Sequence, residues 1–264
     1  MELYQAVVLA VIQGLTEFLP VSSSGHLLLP SNLLGWPDQG LAFDVAVHLG
    51  SLLAVMAYFR TEIAAMVTGW LSDPLLRRGD EDARLSWLVV VATLPAVFFG
   101  LVFGGVIETE LRGIEVLATT TIVFGLLLGL ADWRGKRMKP LAALGVKAAL
   151  VIGLAQAVAL IPGTSRSGIT ITAALFLGFD RQASARFSFL LSIPLILAAG
   201  SLKGLELLGT PQAVDWAAMA VGVAVSGLTA YACIHWFLKL LDTLGMQPFV
   251  IYRLLLGALL LALA

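Results

Sequence analysis

Gln13 to Trp36 reads QGLTEFLPVSSSGHLLLPSNLLGW, and Gln156 to Phe179 reads QAVALIPGTSRSGITITAALFLGF. The two stretches align at a constant offset. Gln156 takes the place of Gln13, Ser165 of Ser22, Ser167 of Ser24, Gly168 of Gly25, Leu177 of Leu34 and Gly178 of Gly35. Each stretch interrupts apolar sequence, at Pro20 in one and at Pro162-Gly163 in the other. Proline has no N–H to donate and disfavours helix at the residue before it, so each stretch reads as two short helices around a break. The copies differ in chemistry: Ser23 is replaced by Arg166, Glu17 by Leu160 and His26 by Ile169. A duplicated hairpin with different groups in each copy reads as one site built from two halves.

The surrounding chain sets the solvent. Of 264 residues, 59% are hydrophobic and only 12% charged, with mean hydropathy +0.95. A soluble domain is about a quarter charged, so this chain has too few water-facing groups to cover its apolar surface. An integral membrane protein is the class that fits. The net charge of −1 identifies no partner, because placement of charge decides topology, and no nucleic-acid partner is expected. Cys233 is the single cysteine and reads as a small buried hydrophobe. The start, MELYQAVVLA, lacks the basic segment of a cleavable signal and is read as mature sequence.

Crossing the hydrocarbon core takes about 20 apolar residues. Six stretches qualify: 41–60, 84–107, 114–131, 185–204, 214–237 and 249–264. The segments 2–19, 21–35, 145–162 and 168–180 are apolar but short, which suits re-entrant hairpins over 2–35 and 145–180. Non-helical backbone at that depth survives only when buried in protein or lining a wet cavity. Residues 62–76 read as an interfacial helix, with Met66 and Trp70 at the headgroups beside Glu62 and Asp73.

Charge placement supplies orientation. Arg60, Arg77, Arg78 and Arg84 follow the first span, and Arg134, Lys136, Arg137, Lys139 and Lys147 follow the third. The positive-inside rule makes both loops cytoplasmic. The turn between them holds Glu108, Glu110 and Glu115 against Arg112, as expected outside. Continuing the count puts Arg181, Arg186 and Lys239 inside and Glu206 and Asp215 outside, with both termini periplasmic. The first hairpin then opens outward and the second inward, so the halves 1–131 and 141–264 have opposite orientation. The expected fold is an all-α polytopic membrane protein: six spans plus two re-entrant hairpins in an inverted-topology repeat. Such repeats bring broken helices together at a central site.

Ionisable groups within the bilayer are candidates for function by default. Gln13 and Glu17, four residues apart, share a helix face that could hold a divalent cation, or Glu17 could act as a base. Ser22-Ser23-Ser24-Gly25-His26 follows the break, where unpaired N–H groups at a helix start make an anion-binding cup. Serine capping is the plainer alternative. His26 lies three residues beyond Ser23, within reach as acid or base. Pro162-Gly163-Thr164-Ser165-Arg166-Ser167-Gly168 forms the second cup. The planar guanidinium of Arg166 suits phosphate oxygens, and its anion is either Glu17 or a substrate phosphate. Asp44, His48, Glu62, Asp132 and His235 read as interfacial or capping groups. Trp70, Trp87, Trp133, Trp216 and Trp236 fit an aromatic belt.

These residues carry a resemblance. The run Gln13 to His26, paired with Pro162 to Gly168, resembles the undecaprenyl pyrophosphate phosphatases, bacterial inner-membrane enzymes associated with bacitracin resistance. The resemblance covers essentially the whole chain. It implies hydrolysis of the C55 isoprenyl pyrophosphate to the monophosphate, which recycles the lipid carrier of peptidoglycan precursors. The family's first motif is Glu or Gln followed four residues later by Glu, here Gln13 and Glu17. The commoner form has Glu first, so this chain has one carboxylate fewer for metal. Where the family often has Ser-Ser-Thr-Gly-His, this chain has Ser24 at the Thr position and keeps the hydroxyl.

The expected assignment follows. Glu17, Ser23, His26 and Arg166 are the catalytic candidates. Ser22, Ser24, Gly25, Gly163, Thr164, Ser165, Ser167, Gly168 and Thr170 are the substrate-binding candidates. Glu17 and Gln13 are the candidate ligands of a divalent cation, Mg²⁺ or Ca²⁺. Ser23 is the preferred nucleophile or nearest hydroxyl ligand, activated by Glu17 or His26, with His26 itself or a water as alternatives. The partners expected are the lipid substrate and membrane lipids, with a homodimer left open. Two rivals stand beside this reading: an inverted-repeat transporter or lipid-phosphate flippase, possible alongside the phosphatase, and an intramembrane serine protease using Ser23 and His26.

Overall fold

The break that Pro20 imposes appears where the sequence puts it. In the structure, a computed structural model, α1 (Leu3–Thr16) stops at Glu17, and α2 (Ser23–Leu34) restarts after six non-helical residues. The second copy repeats the pattern: α7 (Val146–Val158) stops before Pro162-Gly163 and α8 (Arg166–Phe176) restarts beyond it. The equivalence extends to the backbone. Ser22 and Ser165, the residues just before α2 and α8, both sit at positive φ, 73° and 70°. Gly35 and Gly178, at the far ends, also match at 65° and 86°. Positive φ costs a non-glycine residue on the order of 1–3 kcal/mol, so two equivalent serines in that state mark two breaks of one design.

The described residues are 1–76, 79–111, 113–135, 138–208 and 215–264. Arg77, Arg78, Arg112, Lys136, Arg137 and the side chain of Glu108, on which part of the charge count rests, lie outside them. The remaining helices are α3 (Gly40–Tyr58), α4 (Arg60–Ser72), α5 (Glu81–Glu110), α6 (Ile114–Arg134), α9 (Arg181–Leu208), α10 (Trp216–Leu244) and α11 (Gln247–Leu263). Among the described residues there is no strand, only an isolated bridge between Lys139 and Phe179. The protein is all-α.

Five described helices, α3, α5, α6, α9 and α10, are long and apolar enough to cross a membrane. α11, the sixth stretch in the sequence reading, is apolar but 17 residues long. The outer surface is apolar too: Leu228 is 75% exposed and Leu101 70%, and only 17% of the apolar window of α5 is buried. Exposed patches of that extent are rare on water-soluble monomers. This is a multi-pass membrane protein.

Packing puts the hairpins inside the bundle. α1 lies on α10, and α7 lies on α5. Small residues permit both approaches: a Cβ on Gly14 would come within 2.6 Å of the Ser226 carbonyl, and one on Gly153 within 2.5 Å of the Ala92 carbonyl. α3 packs on α9 and α10, α8 on α6 and α9, and α11 on α6. The largest buried cluster runs through Phe18, Phe59, Phe187, Phe189 and Ile171. It sits beneath the two breaks and fixes them against each other.

Candidate active site

The two breaks meet at Glu17. Its carboxylate is 9% exposed and accepts from three side chains. Gln13 Nε2 donates to Oε2 at 3.0 Å, Ser23 Oγ donates to Oε2 at 2.7 Å, and Arg166 Nη2 donates to Oε1 at 2.9 Å. The first contact follows from helical i, i+4 spacing; the second spans the Pro20 break; the third joins the hairpins across 149 positions. Glu17 is in direct contact with the Arg166 guanidinium. The guanidinium also donates to the Ser188 carbonyl at 3.2 Å and lies over the Phe18 ring at 5.8 Å. A buried ion pair needs this fuller set of partners, because desolvating two charges can cost more than their attraction returns.

Hydroxyls divide by exposure. Ser23 is half-buried and Ser24 exposed, so these two face the open side of the cup. Ser22 is buried and shares a 3.4 Å contact with Ser24. In the second cup the hydroxyls turn inward. Ser165 Oγ accepts from the Gly168 N–H at 3.1 Å, and Ser167 Oγ donates to the Leu19 carbonyl at 2.8 Å. Thr170 exchanges a 2.7 Å bond with Ser188 Oγ, and Thr164 is fully buried. Gly163 sits at φ +85°, where a Cβ would lie 2.2 Å from Thr120 Oγ1, so only glycine fits there. Gly25 and Gly168 are buried beside them. The second cup thus contributes Arg166 and the start of α8, while Ser167 ties it to the first break.

His26 goes elsewhere. Its Nδ1 lies 2.7 Å from the Ser22 carbonyl and its Nε2 2.6 Å from Tyr252 Oη on α11. No hydrogen bond between described side chains joins it to Ser23 or Glu17.

Three residues outside the sequence-based set enter the site. His48, read there as interfacial or capping, brings Nε2 to 3.9 Å from Glu17 Oε2, with Nδ1 2.7 Å from the Asp44 carbonyl. Tyr252 meets His26. Arg253, fully buried in α11, donates to four backbone carbonyls: Thr121 at 3.1 Å, Pro20 at 3.3 Å, Thr120 at 3.4 Å and Gly163 at 2.9 Å. One guanidinium therefore holds a carbonyl from each break. A lone arginine within an apolar helix was the signal available for it. Nothing local marked the other two.

Three buried side-chain oxygens among the described residues have no hydrogen-bond partner: Gln13 Oε1, its counterpart Gln156 Oε1 and Thr164 Oγ1. Gln13 Oε1 and the oxygens of Glu17 and Ser23 are hard donors of the kind Mg²⁺ and Ca²⁺ favour. No group of three or more His, Cys, Asp and Glu side chains among the described residues could hold a metal unaided, so an ion here would draw its other ligands from water or a bound phosphate.

Fold and site together define a polytopic membrane protein with a carboxylate, a guanidinium and hydroxyls gathered at two interrupted helices. Comparison with known proteins then narrows the class. The family model for bacitracin resistance protein BacA matches residues 6–259. The chain is 60% identical over 260 residues to the undecaprenyl-diphosphatase of Teredinibacter turnerae, covering 98% of each chain. It is 61% identical over 261 residues to that of Alcanivorax borkumensis, covering 99% of this chain and 98% of the relative. With the undecaprenyl-diphosphatase of Chromohalobacter salexigens it shares 59% over 261 residues, with the same coverage. The chain belongs to the bacitracin resistance protein BacA family.

Proposed function

We propose that this protein is an undecaprenyl-diphosphatase, hydrolysing undecaprenyl pyrophosphate to undecaprenyl phosphate and inorganic phosphate, with bacitracin resistance as a consequence. Near-full-length identity of about 60% to relatives of that name supports the reaction. The observation that carries the chemistry is the cluster of Ser23, Glu17 and Arg166 within hydrogen-bond distance of one another at the meeting of the two breaks.

Phosphoryl transfer depends mainly on positioning and charge neutralisation. Ser23 Oγ attacks the terminal phosphorus while its proton passes to Glu17, and the bond from that phosphorus to the bridging oxygen breaks, releasing the lipid monophosphate. Water then cleaves the phosphoserine, with Glu17 returning the proton to Ser23 and inorganic phosphate leaving. Arg166 pairs with the Glu17 carboxylate and offers its fork to the phosphate oxygens. Ser22, Ser24, Gly25 and the peptide N–H groups from Ser165 to Ser167 line the anion's berth, while Gly163, Thr164, Gly168 and Thr170 hold its shape. Glu17 and Gln13 are the ligands proposed for Mg²⁺ or Ca²⁺, which when bound would neutralise charge on the phosphates.

The finer topology is part of the same proposal. α11 counts as the sixth span, and α1–α2 and α7–α8 form re-entrant hairpins of an inverted repeat with halves 1–131 and 141–264. The protein sits in the bacterial inner membrane with both termini periplasmic. Matched backbone at Ser22 and Ser165, and the parallel packing of α1 on α10 and α7 on α5, support this arrangement. The serine-protease rival loses support, because Ser23 bonds to Glu17 and His26 to Tyr252, leaving no Ser–His dyad.

Purified protein in detergent, given C55 pyrophosphate, should release one phosphate per lipid, stop on adding EDTA, and resume with Mg²⁺ or Ca²⁺. Absence of phosphate release from a monodisperse preparation with metal present would overturn the phosphatase reading. Activity indifferent to chelator would remove the metal from it.

A further inference from the structure

His26 is enclosed at both ring nitrogens, and the enclosure determines its protonation. A backbone carbonyl can only accept, so the 2.7 Å contact to the Ser22 oxygen requires a proton on Nδ1. In the neutral ring Nε2 is then an acceptor, and the donor in contact among the described residues is the hydroxyl of Tyr252 at 2.6 Å. The two rings lie nearly parallel, 11° apart with centroids at 5.5 Å. With a carbonyl at Nδ1 and a hydroxyl at Nε2, the neutral imidazole is held as the Nδ1–H tautomer.

The Ser22 carbonyl held this way belongs to a residue at φ 73°, immediately before the serine cup. Two residues earlier, the Pro20 carbonyl accepts from Arg253 Nη1 at 3.3 Å. Adjacent residues of α11 therefore brace both sides of the strained turn, Arg253 directly and Tyr252 through His26. The strain at Ser22 has to be opposed by its surroundings, and these contacts do so together with Ser167 Oγ, which donates to the Leu19 carbonyl of the same turn at 2.8 Å. Exposure differs along the chain of contacts: His26 is 7% exposed and Tyr252 43%. The tyrosine hydroxyl is thus the link between a buried imidazole and the accessible side of α11.

We propose that Tyr252 is a positioning residue for the phosphatase site, fixing the His26 tautomer and, through the Ser22 carbonyl, the serine cup that carries Ser23. His26 acts on the cup it supports and does not attack phosphorus. The inference rests on the phosphatase reading for its kinetic readout and on geometry alone for its spectroscopic one.

The test is Tyr252→Phe, which keeps the stacked ring and deletes the hydroxyl. Nitrogen-15 imidazole NMR of the full-length protein in detergent should show a single Nδ1–H tautomer for His26 in the wild type and a tautomer mixture in Tyr252→Phe. With C55 pyrophosphate, Tyr252→Phe should lower kcat about tenfold and leave KM within twofold. An unchanged His26 spectrum in Tyr252→Phe would overturn the positioning role whatever the protein catalyses. An altered spectrum with kcat within twofold of wild type would show that the tautomer is held but is irrelevant to turnover, and would overturn the catalytic part. If the wild type released no phosphate, the phosphatase reading would fail while the spectrum still decided the Tyr252–His26 contact.

Discussion

Ser22 opens α2 at φ 73° and Ser165 opens α8 at 70°, yet the next residue is a half-buried serine in one hairpin and an arginine in the other. Nine and five positions before Ser22 and Ser165, the first hairpin carries Gln13 and Glu17, and the second carries Gln156 and Leu160. The backbone was kept and the side chains were divided. A carboxylate with a hydroxyl on one break and a guanidinium on the other can meet only if the two breaks face each other, as they do at 2.9 Å. The unpaired partner in each copy is informative as well. Gln156, lacking a carboxylate four residues on, donates only to the Ala92 carbonyl at 3.3 Å, which is a packing bond. The two breaks share a backbone, and their different side chains meet at one cluster.

That comparison can be broken at several points. The largest effect is expected from Glu17→Gln and from Arg166→Ala: each should lower kcat about 10²–10³-fold, about 3–4 kcal/mol, the scale of losing one preorganised electrostatic group. Phosphate release from C55 pyrophosphate measures it. Next comes the shared brace. Arg253→Met leaves the Pro20 and Gly163 carbonyls short of a donor in a buried setting and should destabilise the fold by about 2–5 kcal/mol, read as a lower unfolding temperature in detergent.

The equivalent serines should then part company. Ser165→Ala removes the hydroxyl that caps the Gly168 N–H and should cost about 1 kcal/mol of stability with activity within threefold of wild type. Ser23→Ala should leave stability unchanged and remove most activity. Smallest of all is Ile169→His, which gives the second hairpin the histidine of the first. Activity should stay within about threefold, since Glu17, Ser23 and Arg166 are all retained.

The sequence already marked both breaks, because Pro20 and Pro162-Gly163 act locally on their own backbone, and the observed helices begin and end within a few residues of the expected stretches. The cluster of Gln13, Glu17, Ser23 and Arg166 was also legible, since a repeat of broken helices predicts that their tips converge. Tyr252 and His48 were not. Tyr252 lies 226 positions from its partner, and hydrophobic periodicity specifies which face of α11 is apolar without specifying which helix it meets. The same limit hid the inward turn of Ser165, Ser167 and Thr170: hydroxyls in a cup read alike until the neighbours that consume them, Gly168, Leu19 and Ser188, are in place.

The central claim is that the two hairpins make one site through Glu17 and Arg166. A kinetic cycle tests it most directly, comparing phosphate release by Glu17→Gln, Arg166→Gln and the double variant, all full-length and folded in detergent. If the pair works as a unit, the double variant will be impaired no more than about threefold beyond the worse single variant. Losses that multiply, as for two independent residues, would contradict the account.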